Sequence, residues 1–210
     1  MSAVPVVPPG DAGPGPALAK VTLSGRHVRL EPLERAHVEA LIPIAQDPEL
    51  WRIGMESAGS PELMRAYVER ALAARDAGLA LPFVTVEQKS GTVVGSTRFG
   101  NYDRVHRRIE IGWTWIAAPW QRTAVNTEAK LLMLAHAFET LELRRVELKT
   151  DVLNARSRAA ILRLGATEEG VFRQHVATWN GRVRDSVWFS ILGGEWPAVR
   201  ERLVAKLAGR

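Results

Sequence analysis

The sequence predicts an α+β domain, a mixed and mostly antiparallel sheet flanked by helices. Three observations predict it. Short runs rich in β-branched and aromatic residues recur at 83–87, 92–99, 108–116, 146–150, 171–179 and 183–192. Tight-turn residues, Lys89-Ser90-Gly91 and Asn180-Gly181, separate the first two runs and the last two, which folds each pair antiparallel. Between the middle runs lie 127–141 and 155–164, whose apolar residues repeat at helical spacing.

Taken in order, residues 21–30 read as a strand with a turn at Ser24-Gly25. Residues 34–46 read as a helix carrying Ala36, Ala40, Leu41 and Ile44 on one face. Ser60-Pro61-Glu62 starts the next helix, with serine as cap and proline in the first turn, and Gly78 stops it. Two strands follow around Gly91, and a third, long one over 108–116. Helix 127–141 places Leu131, Leu134, Ala135, Phe138 and Leu141 inward. After strand 146–150, Asn154 caps helix 155–164, and the hairpin around Asn180-Gly181 completes the order β α α β β β α β α β β.

A chain of 210 residues suffices for one domain with a sizeable core. Its 46% hydrophobic and 24% charged residues mark a globular chain, and its apolar runs fall short of the roughly 20 residues of a membrane helix. There is no cysteine, which excludes disulfides, thiolate metal sites and a cysteine nucleophile and suits a reducing compartment. The net charge of +5 favours anionic ligands, but without a Lys/Arg run nucleic acid is not the expected partner. Residues 1–19, rich in Pro, Gly and Ala, lack the features of a signal peptide and read as a disordered tail before a single domain over 20–210. The expected location is the cytoplasm. The histidines at 27, 37, 106, 136 and 175 show no metal-ligand spacing, so no metal is expected.

The chemistry concentrates where the strand ending at Ile116 passes through a polar loop, 121–127, into a helix. Such a helix start offers unpaired backbone N–H groups to an anion. The following strand, RVELKTD, and its Asn-capped helix complete the pattern. With HVRLEPL, IEIGWTWI, NTEA, N-x-x-S, RLGA and the late hairpin bearing Arg184-Asp185, the chain over about 20–195 resembles the GNAT superfamily of N-acetyltransferases. Within it, the likeness is to the ribosomal-protein N-terminal acetyltransferase branch (RimJ/RimL-like).

That resemblance implies acetyl-CoA as cosubstrate and an amine acceptor, either a protein N-terminus or a small molecule, with direct attack in a ternary complex. It allows a homodimer. It places the acyl-CoA pyrophosphate against Gln121, Arg122, Thr123, Ala124, Val125, Asn126 and Thr127. It places the pantetheine arm by Asn154, and the thioester by the backbone of Ile116 and by Ser157. Ala124 stands where the family usually has glycine and Asn126 where it has glycine or alanine, so the loop departs from the family's permissive residues. Read alone, the loop is also consistent with a plain helix cap, and Arg122 with a solvated arginine.

An ammonium has no lone pair, so a base must take its proton before attack. Glu110 is the first candidate, a surface glutamate paired with Arg107 or Arg108 the alternative, and Asp151 a second base. The family's loop acid is absent, because Ala117 and Ala118 follow the strand. Ser157 is the candidate proton donor to the departing thiolate, since no tyrosine lies nearby in sequence. Alternation puts Trp113 and Trp115 on one strand face and Glu110, Gly112 and Thr114 on the other. Arg156, Arg158 and Arg163 either meet phosphate or form a wet helix face. Residues 50–66 and the 100–108 loop are expected to border the acceptor, through Trp51, Arg52 and Met55 unless these pack the first helices. Two alternatives remain: a succinyl-CoA donor, with Arg98 or Arg104 near the acyl end, and a non-catalytic acyl-CoA-binding or protein-interaction domain.

Overall fold

The structure, a computed structural model, describes residues 13–209. The strands are β1 (Leu23–Ser24), β2 (Val28–Pro32), β3 (Leu81–Glu87), β4 (Val93–Asp103), β5 (Arg108–Ile116), β6 (Arg145–Asp151), β7 (Thr167–Ala177) and β8 (Val183–Leu192). The α-helices are α1 (Val38–Leu41), α2 (Pro61–Asp76), α3 (Ala124–Ala135), α4 (Ala155–Leu164) and α5 (Trp196–Ala208). The strands form one sheet in the order β1-β2-β3-β4-β5-β6-β8-β7. Every pairing is antiparallel except β5 with β6.

That parallel pair sets the site. β5 and β6 are in register only at Arg108↔Arg145, Ile109↔Val146 and Glu110↔Glu147. Past Glu110 the two strands part, while β6 stays paired with β8 to Asp151. A slot is left between the second half of β5 and the end of β6.

Local signals explain most elements. Ser60 Oγ accepts from Leu63 N and Pro61 occupies the first turn of α2. Asn154 Oδ1 accepts from Ser157 N at the start of α4, and Gly165 ends it in the left-handed region, φ 101°. Gly181, φ 80°, turns the last hairpin. The helix expected over 34–46 is cut to a 3-10 turn and the four residues of α1; Ile42 keeps helical torsions as its C-cap, and Pro43 after it offers no N–H to continue the ladder. α3 starts three residues early and runs through a π-helical segment, His136–Thr140. Its buried face is Val125, Ala129, Met133, Leu134, Ala137 and Leu141; Leu131, Ala135 and Phe138 only flank the core. α5 was not expected from the sequence, although Trp196, Val199, Leu203 and Leu207 bury one stripe.

Two cores lie on opposite sides of the sheet. α3 and α5 cover one face with Phe83, Phe99, Leu148 and Phe189 beneath. α1 and α2 cover the other, against Val84, Val86 and Trp115. Glu128, buried in α3, accepts the backbone N–H groups of Arg26, His27 and Val28 at 2.9, 2.6 and 2.8 Å and fastens the β1–β2 turn to that helix. The expected tail is corrected at its end: Gly15 N donates to Arg104 O, and Tyr102 Oη and the Arg107 side chain donate to the carbonyls of Pro16 and Gly13. Residues 1–12 lie outside the described residues. Among the described residues, no helix is long and apolar enough to cross a membrane.

Candidate functional site

The slot opens into a cavity of about 400 Å³ that runs from the α3 and α4 N-termini to the opposite face of the sheet. Of the residues expected to hold a cofactor, Ile116, Gln121, Arg122, Thr123, Asn126, Thr127, Asn154 and Ser157 line it. Ala124 and Val125 do not; Val125 is buried in the α3 core. Gln121 Nε2 donates to Ile116 O at 2.7 Å, tying the loop back to the end of β5. Thr123 caps α3, accepting from Val125 N and donating to Trp120 O at 2.7 Å. Apart from Val125 N, the first-turn N–H groups have no such partner within the helix, so they remain available to an anion.

The two positions where the resemblance leads one to expect glycine are both inside α3, at its first and third residues. The left-handed torsion falls instead on Arg122, φ 63°. A non-glycine residue there costs about 1 kcal/mol. Asn126 Oδ1 is buried without a hydrogen-bond partner. The helix N-terminus, with exposed Arg122, Arg156 and Arg163 on the rim, fits a phosphorylated ligand, while the orphaned Asn126 Oδ1 calls for a donor such as an amide N–H on that ligand. Arg158 turns away to Glu168 at 3.1 Å and does not line the cavity.

A bulge re-aims β5. Ser96 faces Trp115 and Arg98 faces Gly112, so Trp113 and Thr114 together oppose Thr97. Trp113 has φ 49°. The expected alternation is corrected accordingly. Trp113 lies over Arg98 and Trp115 against Trp51 on the α1/α2 face, and Glu110 shares that face, opposite Gly100. Thr114 alone turns to α3, where it receives Lys130 Nζ at 2.7 Å. Lys130 is buried, also donates to Thr97, and burial lowers its pKa to about 7.

Glu110 is 3% exposed and lines the cavity. Its partners are neither Arg107 nor Arg108: Lys149 Nζ pairs with Oε2 at 2.8 Å, and Asn101 Nδ2 donates to the same atom at 2.7 Å. Oε1 turns toward Gly112, where a Cβ would stand 2.9 Å from it. Glycine at 112 therefore makes room for the carboxylate. Arg108 pairs with Asp103 and Glu147 instead. Asp151 also lines the cavity, but Arg182 holds one oxygen and Leu153 N the other.

The far wall comes from 50–56 and the last hairpin. Trp51 is both core and cavity wall, its Nε1 bonded to Ala45 O at 2.7 Å. Met55 lines the cavity and its carbonyl accepts Trp179 N at 3.0 Å; Trp179 Nε1 reaches Trp51 O at 3.0 Å. The hairpin thus roofs this end. Arg52 pairs with Glu49 outside the cavity. Residues 102–107 do not border it; they carry the 13–16 segment. Tyr67 of α2, which sequence reasoning passed over, lines the cavity and donates to Ser96 Oγ at 3.2 Å. Ser157 lines it from α4. Among the described residues, no cluster of three metal-ligating side chains occurs.

Comparison with known proteins agrees with this geometry. Residues 27–167 match the family model described as "Acetyltransferase (GNAT) domain". The Bacillus subtilis protein named "Putative ribosomal N-acetyltransferase YdaF" is 39% identical over 106 residues, covering 50% of this chain and 57% of that protein's length. A GCN5-related N-acetyltransferase from Brucella melitensis superposes with a TM-score of 0.87 at 30% identity, over 94% of this chain and 90% of the other. Mycobacterium smegmatis RimJ in complex with CoA-disulfide superposes with a TM-score of 0.75 at 26% identity, over 94% of each chain.

Proposed function

Because the chain belongs to the GNAT acetyltransferase family, we propose that it transfers an acetyl group from acetyl-CoA to a primary amine, by direct attack in a ternary complex. The observation that carries this reading is the slot between β5 and β6, open on both faces of the sheet, with helix N-termini at one mouth and Glu110 at the other.

The pyrophosphate lies against the 121–127 loop, held by backbone donors and by Arg156 and Arg163 on the rim. The pantetheine arm passes Asn154 into the slot. Glu110 takes a proton from the acceptor ammonium, directly or through a water molecule. The freed amine attacks the thioester carbonyl, and strand backbone near Ile116 stabilises the oxyanion. Collapse expels the CoA thiolate, to which Ser157 Oγ donates a hydrogen bond. A thiol of pKa about 8.5 leaves readily, so this assistance is modest.

The relatives named as ribosomal and RimJ-type acetyltransferases support a protein N-terminal amine as acceptor, and the cytoplasm as the place of work. Trp51, Met55 and the hairpin roof would then contact the residues after that amine. Titration with acetyl-CoA and CoA, followed by turnover on N-terminal peptides and small amines, tests the reading. Saturable binding near one site per chain with peptide acetylation is the expected result. No binding by folded protein would sink it. Binding without turnover on any amine would favour a non-catalytic acyl-CoA-binding domain, the reading to which the strained Arg122 lends weight.

A further inference from the structure

Arg184 projects from β8 into the same cavity, yet it is 5% exposed. Its Nε is buried without a hydrogen-bond partner. Among the described residues it makes neither a side-chain hydrogen bond nor an ion pair. The carboxylates that exert a charge on it, Asp151 and Glu110, are already taken by Arg182 and Lys149. Three cations, Lys149, Arg182 and Arg184, thus face two carboxylates at this end of the cavity. His175, on the strand beside β8, adds no anion: it contacts Ser186 Oγ, and burial with the nearby Lys149 and Arg184 disfavours its protonation.

An unpaired buried guanidinium is unfavourable unless a partner arrives, and its planar fork is made for two parallel bonds to a carboxylate. Arg98, the other buried arginine with unpartnered nitrogens, differs. The rings of Tyr67 and Trp113 cover it at 5.1 and 4.9 Å, and it does not line the cavity. Arg104 donates to Gly15 O and is also outside.

We propose that Arg184 is a carboxylate-binding residue of the acyl-transfer pocket, so that the preferred reaction brings in a carboxylate, on the acyl chain of the donor or on the acceptor. Such a ligand equalises three cations with three carboxylates. Neutral acyl chains and neutral acceptors leave Arg184 unmatched. The proposal rests on the acyl-transfer reading of the cavity.

Two paired measurements on the full chain test it. One compares the affinities of succinyl-CoA and acetyl-CoA. The other compares kcat/KM with acetyl-CoA for Glu- against Gln-bearing acceptor peptides, and for an amino acid against its amide. The carboxylate form should be preferred by at least about tenfold in one arm, and that arm identifies the source. Arg184→Met should level the preference while the acetyl-CoA isotherm stays near wild type and the thermal midpoint does not fall, since an unpaired buried charge is removed. If Arg184→Met does not fold, Arg184→Lys, which keeps the charge but loses the fork, should show a partial loss. No preference in either wild-type arm, a preference that persists in Arg184→Met, or one that Arg184→Lys leaves undiminished, overturns the proposal. Acetyl-CoA binding by wild type stands or falls separately, so failure at Arg184 is distinct from failure of the acyltransferase reading.

Discussion

At the mouth beside α3 and α4 the donors are backbone N–H groups and solvent-exposed arginines; across the sheet they are buried side-chain charges, nearly all paired. The first mouth is formed by chain segments that are continuous in sequence, the loop after β5 and the turn after β6. The second is assembled from β5, β6, β8 and the 50–56 segment. A site made of backbone tolerates substitution, so Ala124 and Asn126 can sit in α3 at the positions where the resemblance leads one to expect small residues. A site made of buried charge does not, since removing one partner strands the other.

The largest expected effect separates the two mouths. Glu110→Gln should lower kcat by roughly 100- to 10,000-fold while acetyl-CoA affinity changes little, as read by steady-state kinetics and calorimetry. An unchanged rate at several pH values would remove Glu110 as the base. A matching fall in cofactor affinity would mean that the mouths are coupled.

Glu128→Gln attacks the support of the cofactor mouth. Losing a buried carboxylate that receives three backbone N–H groups should cost roughly 3 kcal/mol in a denaturant titration. A cost below about 0.5 kcal/mol would show that α3 is placed without this anchor.

Lys130 sharpens the comparison, because it is a buried cation without a carboxylate, on the α3 side of the slot. Its folded pKa of about 7 lies below the ordinary 10.5. The unfolded chain therefore binds more protons between these values, and stability rises with pH across that window. The penalty is full below about pH 7 and fades toward pH 10.5. Lys130→Met should therefore be more stable than wild type at pH 6 by roughly 1–3 kcal/mol, with the gain shrinking by pH 9.5. A gain independent of pH would assign the effect to packing.

The smallest effect is expected at Arg122. Arg122→Gly should gain up to about 1 kcal/mol of stability from its left-handed torsion and leave acetyl-CoA binding equal or tighter. A tenfold weaker isotherm would instead assign the side chain to the phosphates.

The features legible in the sequence were those encoded within a few residues. Ser60-Pro61, Asn154 with Ser157, and Asn180-Gly181 each specify a cap or turn by local chemistry, and each stands where expected. The loop running into α3 was equally plain. What escaped depends on register or on distant partners. One extra residue at Trp113 moved Thr114 to the α3 face and left Glu110 on the tryptophan face, because strand alternation fails at a bulge. Glu110 was a candidate from its strand, but its pairing with Lys149 needed the fold. Arg184 reads in the sequence only as part of the late-hairpin motif; its burial without a partner needed the fold. The helix over 34–46 was overextended because apolar spacing outweighed Pro43, and α5 was missed despite Pro197 in its first turn.

The Glu128 anchor also bears on the order in which the protein assembles. It joins residues 102, 101 and 100 positions apart, so it closes a loop of nearly half the chain. Closing so long a loop is entropically expensive and slow compared with forming α3 itself. The parallel β5–β6 pair needs a crossover before it can register, which delays the slot as well. During synthesis, the first hairpin must therefore wait for α3 to emerge before its turn is tied down. The cofactor mouth takes its final shape late in folding, after the hairpins on either side of it can already have paired.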